Sequence, residues 1–228
     1  MKTFAFIPAR AGSKRLPNKN RLILRGKPLI VYTIEAVIAS GIFDEIFVST
    51  DDDIISDITQ NYKKISLHRR SHELAGDSAT VTQVVLSFLS DRKNEFKVFG
   101  VFPPTSPFRK AHHIRESFQL LLEPVDSVIS VSKYSFPPAF RMEIDDSKSI
   151  TVPQSSPLLS GNTQVGNQKL FVHPNGAIYW SWVNSFLNYK SFYRGKICGY
   201  LMNRKDSIDI DDKFDMTIAE KMFDEHDE

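Results

Sequence analysis

Residues 8–20 read Pro-Ala-Arg-Ala-Gly-Ser-Lys-Arg-Leu-Pro-Asn-Lys-Asn, a short run dense in groups that grip an anion. Gly12 lets the backbone approach a ligand, and Ser13 adds a hydroxyl and an amide. Arg10, Lys14 and Lys19 bring cations to a turn whose amides can point at phosphate. The run fits neither G-x-x-x-x-G-K-[ST] nor G-x-G-x-x-G, and both patterns are absent from the chain. An ATPase or a dinucleotide enzyme is therefore disfavoured. Taken alone, a basic Gly-Ser loop is as often an ordinary surface loop.

At the other end, Asp209 and Asp211 flank Ile210. In an extended segment both carboxylates fall on one face, the spacing a hard divalent cation takes. Helix capping is the competing reading, because acids just ahead of a final helix stabilise its positive end. The two ends are opposite in charge although the chain sums to only +2. Residues 1–34 hold Lys2, Arg10, Lys14, Arg15, Lys19, Arg21, Arg25 and Lys27 with no acid, whereas residues 206–228 hold ten acids against Lys213 and Lys221. Solvated faces ending in a loose acidic tail are the plain reading. A phosphate-binding basic end opposite a metal-binding acidic end is the sharper one. A nucleic-acid binder is expected to be basic as a whole, and this chain is balanced.

These groups need a scaffold, and the hydrophobic pattern supplies one. An apolar strand over 3–8 runs into the basic loop and then into a helix opened by Pro28, with Ile30, Ile34, Val37 and Ile38 on one face and Gly41 as its stop. A strand over 45–49 precedes a helix over 52–62 with Ile54, Ile55 and Ile58 inward. Further strands are predicted at 64–67, 97–102, 127–131, 178–182 and 197–202, and helices at 80–92 and 111–122. A final helix at 212–223 is expected to bury Phe214, Ile218, Met222 and Phe223. Strands separated by helices predict a doubly wound, mostly parallel α/β sheet, whose ligand sits at the carboxyl ends of the strands. Between 135 and 174 the pattern fails among prolines, and an irregular excursion with a hairpin is expected there, serving a dimer interface or covering the site.

The composition agrees. The 228 residues, 41% hydrophobic and 25% charged, describe an ordinary globular chain. A chain this long buries roughly 70% of its unfolded surface, enough for one domain over 1–228. No stretch approaches the ~20 apolar residues of a membrane span, and the first ten residues lack a signal-peptide pattern, so a cytoplasmic place is expected. Cys198, the sole cysteine, excludes an intrachain disulfide and reads as a buried thiol. The six histidines show no His-x-x-x-His or His-Glu-x-x-His pattern, so no zinc site is indicated, and His112-His113 is expected near a helix start.

The stretch Ile7-Pro-Ala-Arg-Ala-Gly-Ser-Lys-Arg-Leu-Pro-Asn-Lys-Asn20 resembles the N-terminal signature of the acylneuraminate cytidylyltransferases, which activate sialic acid and related nine-carbon sugar acids as CMP conjugates. The resemblance continues in order through Val48-Ser-Thr-Asp51, Arg70-Ser-His-Glu-Leu-Ala75 with Asp77-Ser-Ala-Thr80, Pro104-Thr-Ser-Pro-Phe-Arg109, Pro174-Asn-Gly-Ala-Ile-Tyr179, Lys190-Ser-Phe-Tyr193 and Ser207-Ile-Asp-Ile-Asp211. It implies a Rossmann-like nucleotidyltransferase in which the anomeric hydroxyl of a 2-keto sugar acid attacks the α-phosphate of CTP and releases pyrophosphate. Such a reaction needs positioning and charge neutralisation more than covalent help. By the same resemblance, Arg10, Ala11, Gly12, Ser13, Lys14, Lys19 and Asn20 hold the triphosphate, and Arg70, Ala79 and Thr80 lie near cytosine. Thr105, Ser106, Asn175, Tyr179, Phe192 and Tyr193 serve the sugar acid. Asp209 and Asp211 form the Mg²⁺ site, with Asp211 the direct ligand and Asp209 a ligand or an orienter, and the enzyme is a homodimer. From the residues alone, Tyr179 and Phe192 read more readily as core, and Thr80 as a helix N-cap.

The chain also departs from the family. Pro103 stands where Gln is expected and His173 where Arg is expected, which removes two sugar-acid contacts and leaves the acceptor open. Arg15 replaces a glycine, a variant associated with relatives that act on bacterial legionaminic or pseudaminic acids. Two other classes compete. Asp51-Asp-Asp53 after a strand resembles the D-x-D metal motif of a nucleotide-sugar glycosyltransferase, and the two departures would suit a non-catalytic nucleotide-binding relative. A cytidylyltransferase for the eight-carbon acid Kdo is a minor option, since those relatives differ in the first loop.

Overall fold

The computed structural model describes residues 1–76, 78–90, 92, 94–161 and 170–224. The chain runs β1 (Thr3–Pro8), the two-residue strands β2 (Ile23–Leu24) and β3 (Lys27–Pro28), α1 (Leu29–Ser40), β4 (Glu45–Thr50), α2 (Asp53–Gln60), β5 (Ile65–Arg69), α3 (His72–Ala75) and α4 (Val81–Ser90). It continues with β6 (Val98–Val101), α5 (Ala111–Gln119), β7 (Ser127–Lys133), the two-residue strands β8 (Glu143–Ile144) and β9 (Ile150–Thr151), β10 (Val172–Trp182), α6 (Val183–Tyr189), β11 (Ile197–Leu201) and α7 (Lys213–Asp224).

β1 is buried along its whole length, as a near-continuous apolar strand must be when helices cover both faces of a parallel sheet. The main sheet has the order β11-β7-β10-β6-β1-β4-β5. β10 alone runs antiparallel, between β7 and β6, and the other neighbours pair in parallel. The sheet is thus mostly parallel and doubly wound, as the alternation of elements predicts. One side packs Ile30, Ile34, Ile55, Ile114 and Trp180 around α1, α2 and α5. The other packs Phe4, Phe6, Phe88, Phe99 and Phe186 around α4 and α6. A third cluster joins Leu16 of the basic loop, Leu24, Leu29 and Phe108 to Ile210 and Ala219 of the acidic end. This small core sets the two charged ends side by side, which no local pattern foretells.

Three expected core residues are outside it, Ile218 being only half-buried and off the inner stripe of α7. Ile54 is 50% exposed while Ile55 is fully buried, because neighbours on a helix point about 100° apart and cannot share an inward face. Phe214 is 72% exposed. It lies in the first turn of α7, whose inner face is Met216, Ala219, Met222 and Phe223, the three-and-four spacing of one helical stripe. Cys198 is half-buried. The 135–174 excursion does hold a hairpin, the β8–β9 ladder, closed by a turn in which the Asp145 carboxylate accepts Ser149 N–H at 2.9 Å. Residues 162–169 of that excursion lie outside the described residues. His113 stands in the first turn of α5, where its Nδ1 accepts the Lys110 N–H at 3.0 Å.

Candidate active site

The first loop leaves β1 at the carboxyl edge of the sheet and is held there from three directions. Ala11 N–H donates to Asp51 Oδ1 at 2.8 Å, Asn20 Nδ2 donates to the Arg10 carbonyl at 2.9 Å, and Arg10 donates to the Gly76 carbonyl at 3.1 Å. Arg10, Gly12, Ser13, Lys14, Arg15, Lys19 and Asn20 then line one concavity of ≈ 360 Å³. A Cβ built on Gly12 meets nothing within 4 Å, so the glycine leaves open the space where an anion would lie against the backbone. Gly12→Ala is accordingly expected to leave the thermal midpoint within about 2 °C, as an exposed substitution does. It should weaken triphosphate binding about tenfold by filling the cradle, the loss expected from one forfeited charge-assisted hydrogen bond. Calorimetric titration alongside a melting curve checks both halves.

The acidic end faces this loop. Asp211 accepts Lys19 Nζ at 2.8 Å and Arg15 at 2.9 Å. Burial alone would raise its carboxyl, yet the bond from Lys19 and the charges of Lys19 and Arg15 hold it below the usual carboxylate range. Asp209 differs: burial pushes its carboxyl up, the Thr105 hydroxyl opposes this, and the Asp211 charge adds to the rise. Its Oδ1 is buried without a hydrogen-bond partner. Such an orphan oxygen is costly in an apolar setting and is what a cation would satisfy. Ile210 N–H donates to the Thr105 carbonyl at 2.8 Å, which fixes the two aspartates against the 103–109 loop. Gly176 closes the other side with φ +77°, and a Cβ there would stand 3.1 Å from Asp209 Oδ2.

The described residues contain no group of three or more His, Cys, Asp or Glu side chains arranged to hold a metal. Two carboxylates fit Mg²⁺ nonetheless, because that ion keeps waters and takes substrate phosphates for its remaining positions. The open Oδ1 makes Asp209 the freer of the two, whereas Asp211 is already paired.

Arg70 is buried beneath the loop and donates to Ser49 Oγ at 3.3 Å and to the Ser49 carbonyl at 3.1 Å. Burial pushes its guanidinium down to about 10, Asp51 partly offsets this, and Arg10 adds to it. Ala79 N–H closes a turn on the Gly76 carbonyl at 3.1 Å, next to the Arg10 contact. Thr80 caps α4: its N–H and hydroxyl bond Gln83 Oε1 at 2.8 and 3.0 Å, and Gln83 N–H returns to its Oγ1 at 3.2 Å. Asp77 lies outside the described residues.

Pro103, Tyr179, Phe192 and Tyr193 line a cleft of ≈ 190 Å³ with Val81 and Thr82. Phe192 is mostly core, 5% exposed and packed on Phe99 and Phe186, and Tyr193 is half exposed. Burial, then the bond to Tyr193, pushes the Tyr179 phenol well up, so it stays neutral. Asn175 has another occupation. Its Oδ1 accepts from Ser130 Oγ at 2.5 Å and Ala177 N–H at 3.2 Å, and its Nδ2 donates to Ser132 at 3.3 Å and Ser207 at 2.9 Å. All four of its hydrogen-bonding positions are thereby used within the chain, and none is left for a sugar hydroxyl. Ser106 is buried with an unpartnered Oγ. His173 packs against Tyr134 with the rings tilted, their centroids 4.9 Å apart.

The acids of the D-x-D-like run are spent elsewhere. Asp51 holds Ala11, Asp52 caps α2 through Ile54 and Ile55 N–H, and Asp53 pairs with Arg69 at 2.7 Å. Sequence reasoning passed over one side chain altogether: Arg109, 2% exposed, whose guanidinium donates to the Pro103 and Ala177 carbonyls. Its place at the end of a proline-rich motif gave no sign of burial.

A basic, glycine-containing loop beside paired carboxylates at the carboxyl edge of a doubly wound sheet defines a nucleotide-handling α/β protein. A family model described as Cytidylyltransferase matches residues 4–155, so the chain belongs to the cytidylyltransferase family. It is 38% identical over 98% of its length to an N-acylneuraminate cytidylyltransferase of Streptococcus agalactiae, of which it covers 54%. It is 36% identical over 96% of its length to the enzyme of that name from Escherichia coli, of which it covers 51%. The chain therefore spans about half the length of these relatives. It is also 36% identical to a CMP-N,N'-diacetyllegionaminic acid synthase of Legionella pneumophila, with 97% of this chain and 96% of that one aligned. A CMP:2-keto-3-deoxy-manno-octonic acid synthetase solved with CTP shares the fold at a TM-score of 0.72 and 17% identity, over 99% of this chain and all of the other. No helix among the described residues is long and apolar enough to cross a membrane.

Proposed function

We propose that this chain transfers the cytidylyl group of CTP to the anomeric hydroxyl of a nine-carbon 2-keto sugar acid. The hydroxyl oxygen forms a bond to the α-phosphorus, the bond from that phosphorus to the bridging oxygen breaks with its electron pair leaving on pyrophosphate, and the hydroxyl proton is released. The reading is carried by the buried, unpartnered Asp209 oxygen, held beside the Arg10–Asn20 cradle by the shared Leu16–Ile210 core. Family membership and the two kinds of CMP-sugar-acid relative support it.

In this reading Arg10, Lys14 and Lys19 neutralise the triphosphate, and the Ala11, Gly12 and Ser13 backbone with the Asn20 brace shapes the cradle. Arg70, Ala79 and Thr80 lie toward the base. Asp209 and Asp211 hold Mg²⁺, which would supply charge neutralisation at the α-phosphate. Thr105 orients Asp209, and Ser106 lies beneath it in the same loop. Tyr179, Phe192 and Tyr193 with Pro103 offer a neutral aromatic cleft suited to an acylamino group, and Asn175 acts by bracing the strand that carries Tyr179. A reaction that consumes CTP fits a cytoplasmic place. Incubation with CTP, Mg²⁺ and a matched acid should give a CMP conjugate by mass spectrometry; CTP consumption without any conjugate would overturn the transfer.

A homodimer belongs to the same reading. Phe136, Met142, Ile144, Ile150, Leu170 and Phe171, all on the 135–174 excursion, are 48–67% exposed, more apolar surface than a lone chain ordinarily leaves in one segment. Light scattering is expected to give twice the 26.0 kDa of one chain, and Ile144→Asp with Phe171→Asp should return it to the single mass.

A further inference from the structure

We propose that Arg109 is the positioning residue for Asp209: from behind the site, it fixes the two backbone walls between which that carboxylate is held. Its guanidinium donates to the Pro103 carbonyl at 3.1 Å, to the Ala177 carbonyl at 2.8 Å and to Thr33 Oγ1 at 2.5 Å. Thr33, fully buried in α1, in turn faces the same Pro103 carbonyl at 3.5 Å. One side chain thus ties α1, the 103–109 loop and the middle of β10 together.

Two of the three tied segments carry a wall of Asp209. The 103–109 loop brings Thr105, whose carbonyl takes the Ile210 N–H and whose hydroxyl opposes the rise of the Asp209 carboxyl. Ala177 follows Gly176, against which the Asp209 carboxylate lies. A buried guanidinium whose bonded partners are all uncharged and whose Nε is unpartnered carries a large desolvation cost. Replacement by an apolar residue of similar volume removes that cost and leaves the Pro103 and Ala177 carbonyls without this donor. The charge it feels across the gap is Asp209. Arg109 lies behind the strand edge, 2% exposed, so it acts through Asp209 rather than on substrate.

The inference rests on the reading of Asp209 as a cation-holding group, and wild-type turnover tests that reading separately. Arg109→Met, Arg109→Lys and Thr33→Val are compared with wild type by calorimetric titration of CTP with and without excess Mg²⁺, and by the Mg²⁺ concentration that half-saturates turnover. CTP affinity without Mg²⁺ should stay within about twofold, since the first loop is untouched. In Arg109→Met the Mg²⁺-dependent gain in CTP affinity should be mostly lost and half-saturating Mg²⁺ should rise about tenfold, the range for groups that orient metal-holding residues. Arg109→Lys should restore part of both. A folded Arg109→Met with an unchanged Mg²⁺ response overturns the proposal, as does an equal loss of Mg²⁺-free CTP binding. Should Arg109→Met not fold, Thr33→Val, which removes one anchor and keeps the guanidinium, decides: about a threefold rise in half-saturating Mg²⁺ is expected, and no change overturns the proposal.

Discussion

Asp209→Asn should lower kcat by about 10³-fold while leaving the fold intact and CTP still bound. The substitution keeps shape and removes charge. If the orphan Oδ1 is where a cation is held, its loss removes several kcal/mol of charge stabilisation as the α-phosphate is attacked, and each 1.36 kcal/mol is a factor of about ten. The stability change should have the opposite sign. Burial raises the Asp209 carboxyl above its unfolded value, so the ionised form is disfavoured in the folded chain and costs stability at neutral pH. That cost fades as pH falls through the folded pKa toward the unfolded one. The asparagine variant should therefore melt no lower than wild type at pH 7, and the gap between them should close in acid. An active variant would remove Asp209 from the chemistry, and one that melts earlier would contradict the cost assigned to its burial. Asp211→Ala should likewise abolish turnover in a folded chain.

Lys19→Met should cost about 10²-fold in kcat/KM for CTP, the scale of one or two lost charge-assisted hydrogen bonds to phosphate. Its side chain is 14% exposed and bonds Asp211 at 2.8 Å, so it is far better fixed than Arg15, whose side chain is 72% exposed. A surface ion pair would be worth little and its removal would pass unnoticed. Here the same ammonium stands between the aspartates and the cradle. Lys19→Met combined with Asp211→Ala should lose less than the product of the two single losses, because residues acting as one unit do not add. Strict additivity would show that Lys19 and Asp211 do not act as one unit, and an effect on stability alone would reduce Lys19 to an ion pair.

The part of this site legible in the sequence is the part built from local runs. Residues 8–20, the Asp209-Ile-Asp211 alternation and the sheet of helix-separated strands all follow from short patterns, and β1 begins and ends where its apolar run does. What needs tertiary contact was not legible. Ile54 and Ile55 are equally apolar, and only packing chose between them. Phe214 carries no mark that its turn of α7 leaves the body. Asn175 looks like a sugar contact until Ser130, Ser132 and Ser207 arrive from β7 and the 204–207 turn to occupy its amide. Asp51 reads as a metal ligand in one motif and is found bracing the first loop. Arg109 is the strongest case, since a lone arginine after Pro-Phe gives no hint that three backbone segments meet on it.

Pyrophosphate release with CTP and Mg²⁺, measured across N-acetylneuraminic, legionaminic, pseudaminic and Kdo acids with ATP, GTP and UTP as controls, tests the central claim most directly. Release with CTP and a nine-carbon acid together, and with neither alone, is the expected result and names the acceptor that Pro103 and His173 leave open. Firm CTP binding without release for any acid, or equal release with the other nucleotides, would contradict it.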